Sequence, residues 1–247
     1  MKKIILLIAI GSVLNLDCAR ASVVLANWTF ETYTAASLTA ATGPALLAEA
    51  GLGAGVAVAT AVHASSSTVW SNPTGNGSVE SFSANNWAVG DYFQFRTSSL
   101  GYTGINLSWD QTGSSTGPTN FSVLYSTDSG ANFTQFATYA IVKSSGTLIN
   151  YSDGVTGGSW LSNKLATNTS FSYDFSSITG LDSNSDIVFR LAQLNNITSG
   201  ASTVSTSGSG RIDNVIITAV PEPSTCALLV LGGAALVAVR SLRKKNS

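Results

Sequence analysis

Across the middle of the chain, apolar side chains recur at every second residue. The sets are Ile105, Leu107 and Trp109; Phe121, Val123 and Tyr125; Phe171, Tyr173 and Phe175; and Ile187, Phe189 and Leu191. A period of two places such residues on one face of a strand, whereas a helix needs a period near 3.6. Gly- and Ser-rich turns separate the segments at the spacing of a sandwich. Strands are predicted over 91–97, 105–111, 121–126, 133–142, 171–175, 187–194 and 211–219, with mostly coil over 144–169 and 198–209. No repeat of solenoid period appears. The fold class is therefore all-β: one antiparallel β-sandwich, jelly-roll-like, covering 22–219 and flanked by an N-terminal signal-peptide helix and a C-terminal transmembrane helix.

The stretch before this core is harder to read. Val24, Ala26, Trp28 and Phe30 alternate with Leu25, Asn27 and Thr29, so a first strand is expected with Trp28 in the core. Residues 44–50 (PALLAEA) have proline at the first turn and Gly51 after them, and predict two turns of helix. Val56, Val58, Thr60 and Val62 predict another strand, and His63, the only histidine, ends it and is expected to be a surface or strand-end residue. With one histidine and no nearby cysteine, a zinc site is not expected.

The two ends have a different chemistry. Lys2 and Lys3 precede an apolar stretch over 4–16, and Ala19-Arg20-Ala21 supplies the small-x-small pattern, so residues 1–21 read as a secretory signal cleaved before Ser22. Cys18 does not make it a lipoprotein signal, because Asp17 stands where a small residue is wanted. At the other end, in the tail 220–247, Val220-Pro221-Glu222-Pro223-Ser224 is followed by an uncharged run over 224–239 and then by Arg240, Arg243, Lys244 and Lys245. The prolines fix φ and push Glu222 toward extended backbone, so the triplet cannot be wound into a helix. As a helix the 16-residue run would span about 24 Å, short against a hydrocarbon core of roughly 30 Å. The basic cluster stays cytoplasmic and leaves the domain outside.

Triplet, short apolar helix and basic cluster, in this order, resemble the PEP-CTERM sorting signal of Gram-negative exopolysaccharide-producing bacteria. The resemblance implies recognition by an exosortase, a membrane-embedded cysteine protease-like enzyme that cleaves near the triplet. The implied route is an inner-membrane-anchored intermediate followed by release to the cell surface or extracellular matrix. On composition alone the same tail also fits a permanent single-pass anchor.

With both ends removed, five basic and eleven acidic residues remain in 22–219, a net charge of −6. So acidic a surface argues against a nucleic-acid partner, which needs clustered Lys and Arg. Cys18 and Cys226 both lie outside this domain, which excludes an internal disulfide and a thiol nucleophile.

Three classes of function stay open. Hydrolysis of polysaccharide needs two carboxylates facing one cleft, and no such pair stands out; no Gly-x-Ser-x-Gly elbow is present either. A carbohydrate-binding module would stack sugars on exposed rings, for which Trp70, Trp87 and Trp160 in Gly/Ser/Asn-rich surroundings are the candidates; the competing and preferred reading makes each a loop anchor packed into the sandwich edge. A non-catalytic surface or matrix protein embedded in exopolysaccharide fits the low-charge composition and the tail, and is the preferred reading. Ser126-Thr127-Asp128-Ser129-Gly130 followed by Phe133 resembles the Asp-box hairpin, which implies a structural role for Asp128. Finally, Glu31 after the first strand and Asp213-Asn214 in the last resemble jelly rolls whose terminal strands share a structural calcium ion. The competing reading pairs Arg211 with Glu31 or Asp213. Both require Glu31 and Asp213 to be close.

Overall fold

A computed structural model of the chain describes residues 21–33, 37–141, 160–198 and 202–222. Two antiparallel sheets face one another. The first holds β1 (Val23–Trp28), β2 (Leu38–Thr39), β5 (Val69–Ser71), β6 (Phe82–Ala84), β8 (Tyr102–Gly113), β11 (Ser170–Asp174) and β13 (Gly210–Pro221). Its order is β11-β8-β13-β6-β5-β2, and β1 lies on β13 beyond β6. The second holds β3 (Leu46–Leu47), β4 (Val58–Val62), β7 (Tyr92–Thr97), β9 (Asn120–Ser126), β10 (Thr134–Ala140) and β12 (Ile187–Gln193), in the order β10-β9-β12-β7-β4-β3.

The alternating residues meet between the sheets. Ile105, Leu107 and Trp109 of β8 are buried, as are Phe121 and Val123 of β9 and Ile187, Phe189 and Leu191 of β12. Rings cross the gap: Trp28 lies 5.3 Å from Phe95, and Phe82 5.5 Å from Phe93. Each fully buried large side chain contributes roughly 2 to 3 kcal/mol of transfer free energy, so this aromatic layer is the main source of the fold's stability.

Several expectations need correction. Residues 44–50 are extended, not helical. Leu46–Leu47 pairs with Val58 and Ala59, and Glu49 N–H donates to Asn27 O at 2.8 Å. The Glu49 carboxylate accepts from Thr29 N at 2.6 Å and Thr32 N at 2.7 Å. These tertiary bonds outweigh a weak local helix preference. In β1 the alternation is interrupted by a bulge between Val24 and Ala26, which exposes Val24 and buries Leu25 beside Ala26 and Trp28. His63 is buried, its ring between Trp70 at 4.6 Å and Trp87 at 4.2 Å.

The last strand extends past the predicted 211–219 to Pro221. Gly104, with φ of +64°, takes up the register shift between Thr218 and Val220 and keeps β13 paired with β8 to its end. The signal-peptide residues up to Arg20, residues 142–159 and the tail from Pro223, including Ser224, Arg240, Arg243, Lys244 and Lys245, lie outside the described residues.

Candidate functional site

Two places concentrate chemistry: a buried polar cluster on β13, and the end of the sandwich from which the tail departs.

The cluster begins at a bulge. Between Asp213 and Ile216 the register of β13 on β8 shifts, and Asn214 takes a φ of +48°, a conformation asparagine tolerates better than most residues. Asp213 Oδ2 accepts from Asn76 N at 2.7 Å and Ser78 Oγ at 2.6 Å, and Oδ1 from Asn214 N at 2.7 Å. Asp110 Oδ2 accepts from the side-chain amides of Asn76 at 3.0 Å and Asn214 at 2.9 Å. Asn76 also receives Ala166 N on Oδ1 at 2.7 Å. Asp213 is completely buried. Burial pushes its carboxyl up to about 7; the three donated bonds pull the other way and the Asp110 charge adds to the rise.

Glu31 reaches the same segment at Glu80. Its Oε1 accepts the backbone N–H of Glu80 at 2.8 Å, while Arg211 donates to Thr74 O at 3.1 Å. Among the described residues no ion pair joins Arg211 to Glu31 or Asp213. The terminal strands do run side by side, with Trp28 opposite Val215, but the chain leaves the ladder before Glu31. Ser78 Oγ lies between Asp213 and the Glu80 carbonyl: the three oxygens lie 2.0 to 2.4 Å from the point a Cβ on Gly75 would occupy. Oxygens so gathered are calcium chemistry, although with a single carboxylate. Among the described residues no group of three or more His, Cys, Asp or Glu could hold a metal.

Trp70, Trp87 and Trp160 are all buried, at 0%, 5% and 3% exposure, so they pack into the sandwich and the alternative in which they offer stacking faces to sugars is corrected. Their indole N–H groups donate to Ala40 O, Ala84 O and Thr169 Oγ1. A half-buried aromatic arrangement exists elsewhere. On the outer side of the second sheet the Arg190 guanidinium lies between the rings of Tyr92 at 3.9 Å and Phe133 at 3.8 Å. Arg190 Nε donates to Gln94 Oε1 at 2.8 Å, and Gln94 in turn reaches Thr60. Nothing local in the sequence marks Tyr92, Arg190 and Phe133 as stacking across strands, since they lie far apart along the chain.

Asp128 folds the Asp-box turn. Its Oδ1 accepts from Ser126 Oγ at 2.7 Å and Asn132 N at 2.9 Å, and these bonds hold the carboxyl down at about 2. Phe133 covers Arg190 from this turn.

At the departing end, Val220 pairs with Thr103 and Pro221 with Tyr102. Proline has no N–H to continue the ladder, and Glu222 N–H makes the next bond, to Gly101 O at 3.0 Å. Val23 opposite Ala219 brings the start of the domain to the same end, so the exposed Ala21 and Ser22 lie near the departing tail. Among the described residues no helix is long and apolar enough to cross a membrane.

The chain carries a PEP-CTERM protein-sorting motif at residues 219–245. The motif implies an exported, exosortase-processed protein that passes through a membrane-anchored intermediate. No curated protein matches the chain. Among solved structures, it is similar to a cleaved adhesin domain of Lys-gingipain from Porphyromonas gingivalis, 14% identical, with 80% of this chain and 97% of that one covered and a TM-score of 0.39. The CBM22-1–GH10 modules of the Clostridium thermocellum endo-1,4-β-D-xylanase 10B are 16% identical over 80% of this chain and 28% of that one, with a TM-score of 0.40. The CBM22-2 xylan-binding domain of Paenibacillus barcinonensis Xyn10C is 14% identical, with 62% of this chain and 86% of that one covered and a TM-score of 0.34.

Proposed function

We propose that this is a non-catalytic protein of the cell surface or exopolysaccharide matrix, delivered there by exosortase sorting of its C-terminal tail. The observation that carries the reading is the continuity of β13 with the sorting signal: Pro221 pairs with Tyr102 and Glu222 with Gly101, so the sandwich and the signal form one strand. A domain joined this directly to its anchor is cargo held at the membrane until the tail is removed. The non-catalytic part rests on the carboxylates. Asp213 is buried with both oxygens engaged by its own chain, and Asp128 and Glu49 cap backbone N–H groups. Mass spectrometry of protein recovered from cells with an active exosortase tests the processing. The expected product begins at Ser22 and lacks the run after Pro223. Recovery of intact C-terminus would reduce the tail to a permanent anchor.

A second reading is favoured by one specific feature, the Tyr92–Arg190–Phe133 stack with Gln94 and Thr60 beside it. Planar rings plus amide and guanidinium donors are what a sugar's apolar face and hydroxyls require. A glycan array read with wild type and Arg190→Ala separates the two. Binding that the substitution abolishes makes the protein a carbohydrate-binding module, and the absence of binding leaves the matrix reading.

A further inference from the structure

Of the large apolar side chains exposed over the described surface, three share one groove at the departing end. Leu52, Val56 and Leu100 are 61%, 78% and 58% exposed and line a groove of about 540 Å³ together with Leu25, Val58 and Tyr102. Scattered exposed leucines and valines are ordinary on a soluble surface, but a cluster around one groove marks a contact site. The charged groups of the groove are Arg96 and Asp186, and they neutralise each other: Arg96 Nε donates to Asp186 Oδ1 at 2.6 Å and its Nη2 donates to Oδ2.

The place of the groove decides its partner. Leu100 adjoins Gly101, whose carbonyl holds Glu222 N–H, and Tyr102 of the groove pairs with Pro221. From Glu222 to Ser224, where the uncharged run begins, is two residues, which reach at most about 7 Å. A headgroup layer is of similar thickness, roughly 5 to 7 Å on each side of the hydrocarbon core. With no slack between strand and anchor, this end of the sandwich is held in the lipid interface for as long as the tail is attached.

We propose that Leu52, Val56 and Leu100 form a lipid-contacting surface that seats the domain on the bilayer in the sorting intermediate. The partner is phospholipid, contacted at the boundary between headgroups and acyl chains, where apolar side chains beside an internally paired Arg and Asp are accommodated. The contact lasts only while the tail anchors the chain, because these few side chains are far less than a stable peripheral anchor needs. The inference rests on the reading that the tail enters the membrane.

The test uses the chain from Ser22 to Ser247, whose only cysteine is Cys226 in the tail. An environment-sensitive fluorophore is placed on Cys226, or on Val56→Cys or Val89→Cys in a Cys226→Ser background, in phosphatidylcholine vesicles containing doxyl-labelled lipid. Val89 is 59% exposed and lies before β7, whereas Leu100 lies after it, at the other end of a strand of about 20 Å. The expected result is strong quenching at Cys226, several-fold quenching at Val56→Cys and none at Val89→Cys. Both substitutions are at exposed sites and leave the core intact. Quenching at Cys226 without quenching at Val56→Cys overturns the lipid surface and leaves the sorting reading standing. Equal quenching at Val56→Cys and Val89→Cys also overturns it, since the domain then has no preferred face. Shielding of Val56→Cys that appears only when exosortase is added assigns the groove to the enzyme and overturns the proposal. No quenching at Cys226 removes the membrane-inserted tail, and the proposal with it.

Discussion

Asp213 of β13 stands directly across the ladder from Asp110 of β8, and Asn76 and Asn214 each hydrogen-bond to both carboxylates. The more buried, Asp213, is pushed up to about 7 by burial. A carboxyl that binds its proton more tightly in the folded state stabilises the fold fully below its unfolded value near 3.8, and the contribution is lost as pH rises through about 7. Asp91, also raised by burial, acts in the same direction. Asp213→Asn is expected to remove a term on the order of a few kcal/mol across that window, read as the change with pH of the urea midpoint.

His63 carries the opposite slope. Burial between Trp70 and Trp87 pushes its imidazole down to about 4. A histidine buried neutral contributes stability that is present above its unfolded value near 6.5 and is lost as pH falls through about 4. Between those limits the two buried groups work against each other, so the wild-type profile should be shallow. His63→Gln should leave stability falling with rising pH, and Asp213→Asn should leave it rising. Parallel profiles for the two variants would contradict the assignment.

Calcium is expected to act at Asp213, through the oxygens of Ser78 and Glu80. A site with one carboxylate belongs to the weak end of the calcium range, with Kd of about 1 mM. Linkage then gives about 1.4 kcal/mol at about 10 mM calcium and almost nothing at about 0.1 mM, a rise in Tm of roughly 3 to 5 °C. Because the ion binds the carboxylate form, the rise should be larger at pH 8 than at pH 5. Thermal melts of wild type and Asp213→Ala check it; an equal rise in both would place the ion elsewhere.

The strands that were legible in the sequence are those whose every second residue enters the core, as Ile105, Leu107 and Trp109 do. Trp70 and Phe82 belong to strands of three residues each, and the polar neighbours that made them resemble loop are themselves buried: Ser81, Ser83 and Asn76 satisfy their hydrogen bonds inside the fold. Alternation fails where buried polar groups replace apolar ones. The Asp213 cluster was invisible for another reason, since Asn76 and Asp213 are 137 residues apart and nothing local announces their bond. The sorting signal depends on proline, length and charge in one short segment, so it was readable. Its pairing with Tyr102 was not.

That pairing should slow processing. For an exosortase to take the triplet as an extended substrate, the end of β13 must leave β8, which breaks the Glu222–Gly101 hydrogen bond and the contacts of Pro221 with Tyr102. Local opening at a strand end costs about 1 kcal/mol per hydrogen bond, and the accessible fraction falls about fivefold for each. Four Gly-Ser residues inserted between Val220 and Pro221 move the triplet off the sheet without touching it. In cells with an active exosortase, pulse-chase of this variant should show the tail lost about three- to tenfold faster than from wild type. An unchanged rate would mean that the enzyme accepts the triplet in its paired form, or that a later step limits release.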